Sequence, residues 1–418
     1  MKTVNVGLVG VGTVGRGVCE VLRRNCEEIS RRTGREIIVS AASARNVRKA
    51  EEFLGSTVKV YEDPFDVVRD KNVDIVIELI GGTTTARALI EESISLSKPV
   101  VTANKALIAE HGNELFSRAR ANGSIVAYEA AVAGGIPIIK ALREGLAANR
   151  IDSVAGIVNG TTNFILSEMR DKGISFQDAL ADAQQLGYAE ADPTFDIEGI
   201  DTAHKLVILS AIAQNNKIDF DNISIEGITK ITIDDINFAK EFGYKIKLVG
   251  IFEDLNNGQI MQNTYPALVP AGSHIGPIDD SYNALLIKGN NSDWNLSVGR
   301  GAGEFPTASA VIADVIDIAN DRYTHPLGAK NSDLGVSNIT DLSSRVGKYY
   351  LRFIADNNPD FIKSQFKNDI IENFTAKEDG DKIIYGVFTK SIAEKEILSL
   401  KEKFVNDNNF IFIRIENI

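Results

Sequence analysis

The run Gly10-Val11-Gly12-Thr13-Val14-Gly15, with what stands on either side of it, narrows the fold more than any other feature of this chain. Before it, residues 4–9 form a short apolar segment that reads as a buried strand. After it comes a helix with apolar Val14, Val18, Val21 and Leu22. Alone, such a glycine string carries little information. Placed at the end of a first strand and the start of a helix, it predicts a dinucleotide-binding βαβ unit. The glycines Gly10, Gly12 and Gly15 permit a tight turn and close backbone approach, while the helix N-terminus receives a pyrophosphate.

The next strand, residues 37–42, should end in an acid if the ligand were NAD, to hold the ribose hydroxyls. It ends instead in Ser43-Ala44-Arg45, with Arg48 and Lys49 close behind and Glu51 as the next acid. A cation at that position favours a 2′-phosphate, hence NADP. Strands at residues 73–80, 99–102 and 124–128 follow, separated by helical patterns, which is the rhythm of a parallel sheet. They end in Gly81-Gly82-Thr83, Ala103-Asn104-Lys105 and Glu129, all at the sheet edge where such folds bind ligands. Lys105 is thereby placed for chemistry. The small-residue loop after Glu129, residues 130–137, offers backbone carbonyls beside one carboxylate, a donor set suited to a monovalent cation.

A second dense stretch lies at residues 187–205, where Glu190, Asp192, Asp196, Glu198 and Asp201 precede Lys205. Its tail reads as a helix with Ile200, Leu206, Val207 and Leu209 on one buried side. Asp201 and Lys205 are four apart, so they share a face. A lysine beside carboxylates at the mouth of an apolar helix is a candidate acid/base with a tuned pKa. The plainer reading, an ordinary surface ion pair, fits poorly with so many acids and turn residues just before it. His204 adjoins Lys205 but points about 100° away on a helix, which assigns it to packing.

Totals exclude several classes. The 418 residues hold two or three domains. With 45 basic against 57 acidic residues, a net charge of −12 and no Lys/Arg block, nucleic acid is not an expected partner. Cys19 and Cys26 fall in one predicted helix and make no metal or disulfide pattern. The first residues enter a strand at once and no apolar run is long enough to span a bilayer, so the expectation is a cytoplasmic protein.

Beyond residue 138 the pattern changes. A strand at 151–158 runs into Asn159-Gly160-Thr161-Thr162-Asn163, a turn capping a helix expected near Phe164. A helix at 175–186 opens with Ser175 and Asp178 and stops at Gly187. Strands at 244–252, 258–268, 283–288 and 294–298 are read as a mixed sheet covering the site. Residues 299–303 form a flexible loop, 308–319 a helix returning to the first domain, and 321–345 a linker. The remainder reads strand 349–355, helix 359–366, strand 370–377, turn 379–381, strand 382–389, helix 392–406 and strand 410–415. This is the βαββαβ order of a ferredoxin-like module. It carries no catalytic-looking cluster, which favours binding or assembly.

The motifs GLVGVGTVG, TANK, YEAAVAGGIP, NGTTNFIL, GYAEADPTFDIEGIDTAHK and GRGAGEFPT together resemble homoserine dehydrogenase of the stand-alone type, over about the whole chain. The resemblance implies a Rossmann-type doubly wound parallel sheet (residues 1–137 plus about 305–340), an α+β substrate and dimerisation domain (138–304) and an ACT-type C-terminal domain (346–418). It implies reversible NAD(P)H-dependent reduction of L-aspartate 4-semialdehyde to L-homoserine, in the branch leading to threonine, isoleucine and methionine. By motif, Lys205 would donate the proton, Asp201 and Glu190 would bind the substrate's amino end and hydroxyl, and Asp196 would shape the same wall. Lys105 would be a second catalytic candidate. Thr13, Val14, Arg45, Lys105, Gly187 and Gly303 match cofactor contacts. Glu129 with the carbonyls of Val132, Gly134 and Ile136 matches a sodium or potassium site. A homodimer or homotetramer is implied, and threonine as an effector.

One departure from that pattern concerns the effector. ACT-type domains tend to show Asp-x-Pro-Gly after the first strand, whereas this chain has Asp356-Asn357-Asn358-Pro359-Asp360. An Asp in place of the glycine restricts backbone approach to a ligand. Two other functions fit these residues less well. A phosphorylating aldehyde dehydrogenase needs a nucleophilic cysteine, and Cys19 and Cys26 lie too early for one. A non-catalytic NADP-binding amino-acid sensor has no use for the Glu190, Asp201 and Lys205 set.

Overall fold

The computed structural model describes residues 2–328, 334–355, 370–380, 382–403 and 410–418. Six strands, β1 (Lys2–Val9), β2 (Arg35–Ser43), β3 (Lys59–Tyr61), β4 (Ile75–Glu78), β5 (Val100–Thr102) and β6 (Val126–Ala127), form a parallel sheet in the order β3-β2-β1-β4-β5-β6. Val6, Leu8, Val9, Val76, Ile77, Val100 and Val101 are buried, as expected where helices cover both faces. The helices Thr84–Ser95 and Lys105–Ala121 contribute to the apolar cluster on one side, while Thr13–Arg24 and Glu304–Ala319 supply the other. Strand order reverses between β1 and β4, which opens a crevice at their carboxyl ends. The late helix Glu304–Ala319 does return to this unit. It packs so closely on Thr13–Arg24 that a Cβ at Gly17 would lie 2.7 Å from the Glu304 carbonyl oxygen.

The second sheet is mixed. Strands β7 (Ile151–Ile157), β8 (Ser224–Ile225), β9 (Tyr244–Asp254), β10 (Ile260–Pro270), β11 (Tyr282–Gly289) and β12 (Asp293–Arg300) are followed by β13 (Val346–Ala355), β14 (Ile371–Asp379), β15 (Lys382–Thr389), β16 (Ile392–Ala393) and β17 (Phe410–Ile415). They join in one path, β12-β11-β7-β9-β10-β17-β13-β15-β14, with β8 on β10 and β16 on β13. The C-terminal strands read fourth, first, third, second, the order a ferredoxin-like unit requires. The expected helix at 359–366 lies outside the described residues.

The continuity between the two halves of this sheet was not foreseen. β10 and β17 pair in parallel, Ala267 with Arg414 and Leu268 with Ile415. Side chains lock the same seam. Asp235, fully buried, accepts from Arg352 at 2.8 Å and from the Tyr350 hydroxyl at 2.8 Å. The Arg414 guanidinium meets Glu394 at 2.5 Å and Glu226 at 2.9 Å.

Several local expectations need correction. Cys19 and Cys26 lie in two helices, because Asn25 ends one at Arg24 and starts the next, Cys26–Thr33. The helix after β7 begins at Gly160 rather than near Phe164, because Asn159 is its N-cap and accepts from the Thr162 amide at 2.8 Å. Gly299 and Arg300 belong to β12, paired with Asn283 and Tyr282, so the loop is shorter than expected. Ile392 and Ala393 pair with β13, and the last helix starts at Glu394. Helix Ile233–Glu241, held by a reciprocal Thr232–Asp235 capping box, and strand β3 were not anticipated.

Candidate active site

Helix Ile200–Gln214 positions the centre. It is buried from Asp201 through Ile212, not on one side alone, because it packs against β7, β9, β10 and helix Lys105–Ala121. A helix enclosed all round is apolar all round, so the ionic pair at its N-terminal end stands out energetically. Asp201 is 3 % exposed and Lys205 8 %.

Asp201 gathers three donors. Its Oδ2 accepts from Lys205 Nζ at 2.7 Å and Asn159 Nδ2 at 2.8 Å, and its Oδ1 lies 3.1 Å from Lys105 Nζ. Lys205 Nζ also donates to the Val158 carbonyl at 2.6 Å, where β7 ends. Asn159 Nδ2 donates in addition to Asp196 Oδ1 at 2.7 Å. Lys105 starts its helix directly after β5, capped by Asn104, and a third of its side chain is exposed. Its ammonium also lies 5.5 Å from the Phe195 ring centre. Two separately predicted lysines, one from each domain, thus converge on one carboxylate.

The two amines differ in character. Burial pushes Lys205 below the ordinary lysine range; Asp201 opposes that, and the Lys105 charge reinforces it. Burial acts on Lys105 too, but Asp201, Asp196 and Glu190 outweigh it and hold the amine up. Burial would raise Asp201, yet Lys205 and Lys105 keep it well below the carboxylate range. Asp196 is raised by burial, with the Asn159 bond opposing. The centre thus holds one carboxylate kept ionic, one lysine whose proton is held more firmly than usual and one whose proton is held less firmly.

Other predicted residues sort around this centre. Glu190 is exposed, on a turn whose carbonyl accepts from Gln184, and its charge is felt at Lys105. Asp192 accepts from the Thr194 amide and hydroxyl, a local turn bond apart from the lysines. Gly187 turns at φ 76° after helix Phe176–Gln185, and the next residue's carbonyl accepts from Thr161 at 2.7 Å. His204 is buried between Phe195 and Phe220, ring centres 5.2 and 4.3 Å away, and burial holds it down to about 4 and hence neutral. Asn159 and Phe195 were missed as site residues. Asn159 read only as the first residue of a capping turn, although it is itself the N-cap, and an exposed phenylalanine carries no chemical signature.

The glycine turn fits a dinucleotide. Gly10 has φ 106°, and a Cβ there would lie 2.9 Å from the Leu79 carbonyl oxygen. One at Gly15 would lie 2.1 Å from the Gly10 carbonyl oxygen. Gly12 faces open space, and as N-cap of Thr13–Arg24 it has no side-chain cap bond, which leaves room for phosphate oxygens at that helix end. Thr13 and Val14 form the helix's first turn. Gly303, at φ 119°, begins the helix packed against it. Arg45 is exposed just beyond β2.

Glu129 is 2 % exposed and accepts from the amides of Ile139 and Lys140, each at 2.9 Å. Burial, then Asp314, push its carboxyl up to about 7. Positive φ at Ala133 and Gly134 bends the following loop that carries the Val132, Gly134 and Ile136 carbonyls. Among the described residues no group of three or more His, Cys, Asp or Glu could hold a metal ion, so any cation here relies on carbonyl oxygens. No helix of the described residues is long and apolar enough to cross a membrane.

A dinucleotide crevice beside a buried lysine–carboxylate centre defines a Rossmann-type, nicotinamide-dependent oxidoreductase. Comparison with known proteins gives the family. Residues 10–129 match the model for the homoserine dehydrogenase NAD-binding domain, and residues 137–316 match that for homoserine dehydrogenase. The chain is 49% identical over 366 residues to homoserine dehydrogenase of Neisseria gonorrhoeae, covering 86% of this chain and 83% of the relative. The Pseudomonas aeruginosa enzyme is 48% identical with the same coverage. The crystal structure of a homoserine dehydrogenase from Thiobacillus denitrificans superposes with a TM-score of 0.92 at 46% identity, over 100% of this chain and 99% of that one. A hyperthermophilic archaeal homoserine dehydrogenase solved with NADPH superposes at 0.66 and 26% identity, over 77% of this chain and 99% of that one. The chain belongs to the homoserine dehydrogenase family and is an NAD(P)-dependent enzyme.

Proposed function

We propose that Lys205 is the proton donor when L-aspartate 4-semialdehyde is reduced to L-homoserine. The observation that carries this reading is a buried amine, bonded to Asp201 and the Val158 carbonyl, with its proton held less tightly than an ordinary lysine's. The bound nicotinamide supplies the hydride to the aldehyde carbon. Lys205 Nζ releases its proton to the oxygen on which negative charge develops. Asp201 orients Lys205, and with Glu190 and Asp196 it receives the substrate's ammonium and hydroxyl. Lys105 keeps its charge beside the same oxygen, as a second catalytic group. In the oxidative direction neutral Lys205 takes the hydroxyl proton.

Gly10, Gly12, Thr13, Val14 and Gly15 receive the pyrophosphate, with Lys105, Gly187 and Gly303 as further cofactor contacts. Arg45, exposed where an acid would bind ribose, favours NADP(H) over NAD(H). Glu129 with the carbonyls of Val132, Gly134 and Ile136 holds a sodium or potassium ion, which would stabilise a buried carboxylate otherwise raised to about 7. The domains run 1–137 plus about 305–340, 138–304 and 346–418, in a cytoplasmic homodimer or homotetramer. The ACT-type unit is the place for a threonine effector, with Asp360 weakening it; residues 356–360 lie outside the described structure.

The test is Lys205→Ala, followed by homoserine-dependent reduction of NADP⁺. Turnover should fall by about a thousandfold, within the usual range for a lost acid/base group, while NADPH affinity holds. Near-normal turnover would move the donor role to Lys105 or water. Threonine inhibition at physiological levels would show that Asp360 does not disable the effector site.

A further inference from the structure

We infer that Asn159 is a positioning residue whose single amide group holds Asp196 and Asp201 together and favours release of the proton from Lys205 over Lys105. The inference rests on the reading of Lys205 as donor. Asn159 is 4 % exposed, and its hydrogen-bonding groups are used on both sides. Carboxylates only accept, so the amide nitrogen must face them. It donates to Asp196 Oδ1 at 2.7 Å and Asp201 Oδ2 at 2.8 Å, while Oδ1 accepts from the Thr162 amide at 2.8 Å. The residue sits at the junction of β7 with helix Gly160–Lys172, and the adjacent Val158 carbonyl takes the other hydrogen bond of Lys205.

Its chemical effect follows from how Asp201 divides its oxygens. Oδ1 faces Lys105, whereas Oδ2 is shared between Lys205 and Asn159. An oxygen accepting from two donors holds each proton less firmly than one accepting from a single donor. The sharing therefore loosens the proton on Lys205 and leaves the one on Lys105 secure. The same amide keeps two carboxylates side by side that would otherwise repel. Asn159 thus adds to burial at Lys205, and to the acids around Lys105, in separating two amines on one carboxylate into a donor and a fixed charge. The other titratable groups around this cluster are Glu190, through its charge on Lys105, the neutral, buried His204, and Glu110, 3.7 Å from the His204 ring.

A helix cap alone would not need this residue type. Asn, Asp and Ser cap helices about equally well, so a purely structural role predicts that Asn159→Ser and Asn159→Asp behave alike and near wild type. The clamp predicts a graded loss. Asn159→Ser keeps a cap but has no amide for the carboxylates, and turnover should fall by about a hundredfold, the usual penalty for an ångström-scale misplacement. Asn159→Asp adds a third carboxylate and should fall further. In Asn159→Ser, Asp201 Oδ2 belongs to Lys205 alone, so its proton is held more firmly. The basic limb of the aldehyde-reduction pH profile should then move to higher pH, with NADPH affinity unchanged.

Equal, near-wild-type turnover and pH profiles in both variants, with Lys205→Ala inactive, would overturn this inference and spare the donor reading. An active Lys205→Ala would remove the donor reading itself. Thermal melting of each variant reports the cap separately. If Asn159→Asp unfolds, the pH-profile shift in Asn159→Ser still decides.

Discussion

Two buried ionic clusters in this molecule look alike and do opposite things. At one, Asp201 holds Lys205 and Lys105; at the other, on the sheet seam, Arg414 holds Glu394 and Glu226. In each a buried ion pair, Asp201 with Lys205 or Arg414 with Glu394, carries a more exposed third partner, Lys105 or Glu226, and both lie where β-strands from different parts of the chain end or meet. The difference lies in the cation. A lysine amine is a point charge whose proton becomes labile when water is removed. A guanidinium stays charged and binds a carboxylate through two parallel bonds, as Arg414 Nε and Nη2 do with Glu394 at 2.9 and 2.5 Å. Arg414 also lies 4.4 Å from the Tyr265 ring centre. On the proposed reading, burial therefore makes a proton donor of one cluster, while in the other it makes a rivet.

Exchanging the cation types breaks that comparison most directly. Lys205→Arg should leave the charge and lose the transferable proton, lowering turnover by about a thousandfold, with melting within a few degrees of wild type. A variant that turns over normally would show that charge alone suffices at this position. Arg414→Lys is the mirror experiment. It forfeits the bidentate geometry and leaves Glu394 or Glu226 poorly paired, which should destabilise the fold by about 2–4 kcal/mol. Turnover per folded molecule should stay within about twofold of wild type. Loss of activity without loss of stability would tie the seam to the active site.

Glu129 sharpens the contrast from the anionic side. Its carboxylate accepts two backbone amides, and its folded pKa of about 7 exceeds the ordinary 4.5. A raised carboxyl contributes stability below about pH 4.5 and loses that contribution as pH climbs through about 7. A monovalent cation bound there would reverse that loss, because it favours the ionised form. Sodium or potassium should therefore raise the melting temperature by several degrees at pH 8 and hardly at all at pH 5, relative to a bulky organic cation. Glu129→Gln should remove the difference; an ion effect that survives it lies elsewhere.

The smallest effect belongs to the exposed extreme. Arg45 is solvated and makes no buried pair, so Arg45→Ala should leave stability within about 0.5 kcal/mol of wild type. It should reduce the preference for NADPH over NADH, as a ratio of kcat/KM, by about tenfold. An unchanged ratio would place the 2′-phosphate against other residues.

Most of the parallel sheet was legible because its central strands carry apolar buried runs, at residues 6–9, 75–77 and 100–101, and its glycine turn has a fixed purpose, visible in Gly10, Gly12 and Gly15. Boundaries slipped where a polar residue took two roles. Asn159 alone caps the helix and also bonds two carboxylates, so reading the whole turn 159–163 as the cap puts the helix start four residues late. The helix Ile233–Glu241 hid because its capping pair, Thr232 and Asp235, reads as loop until its box closes. It is buried against β9 and helix Gly160–Lys172, and its Asp235 bonds Tyr350 and Arg352, 115 and 117 residues away in the chain. Family resemblance supplied residue roles that spacing could not.

From the chain alone came the Rossmann unit, the Asp201–Lys205 pair four residues apart on one helix, and the separate prominence of Lys105 after β5. Those are local facts: 3.6 residues per turn and the period of buried strands act within a few residues of themselves. What the tertiary structure decided is that Lys105 and Lys205 share one carboxylate, that Asn159 divides its oxygens, and that β17 extends the central sheet. Each depends on which distant surfaces exclude water from one another. Charge, hydrogen bonding and proton affinity follow from that exclusion, and it has no signature in the order of the residues.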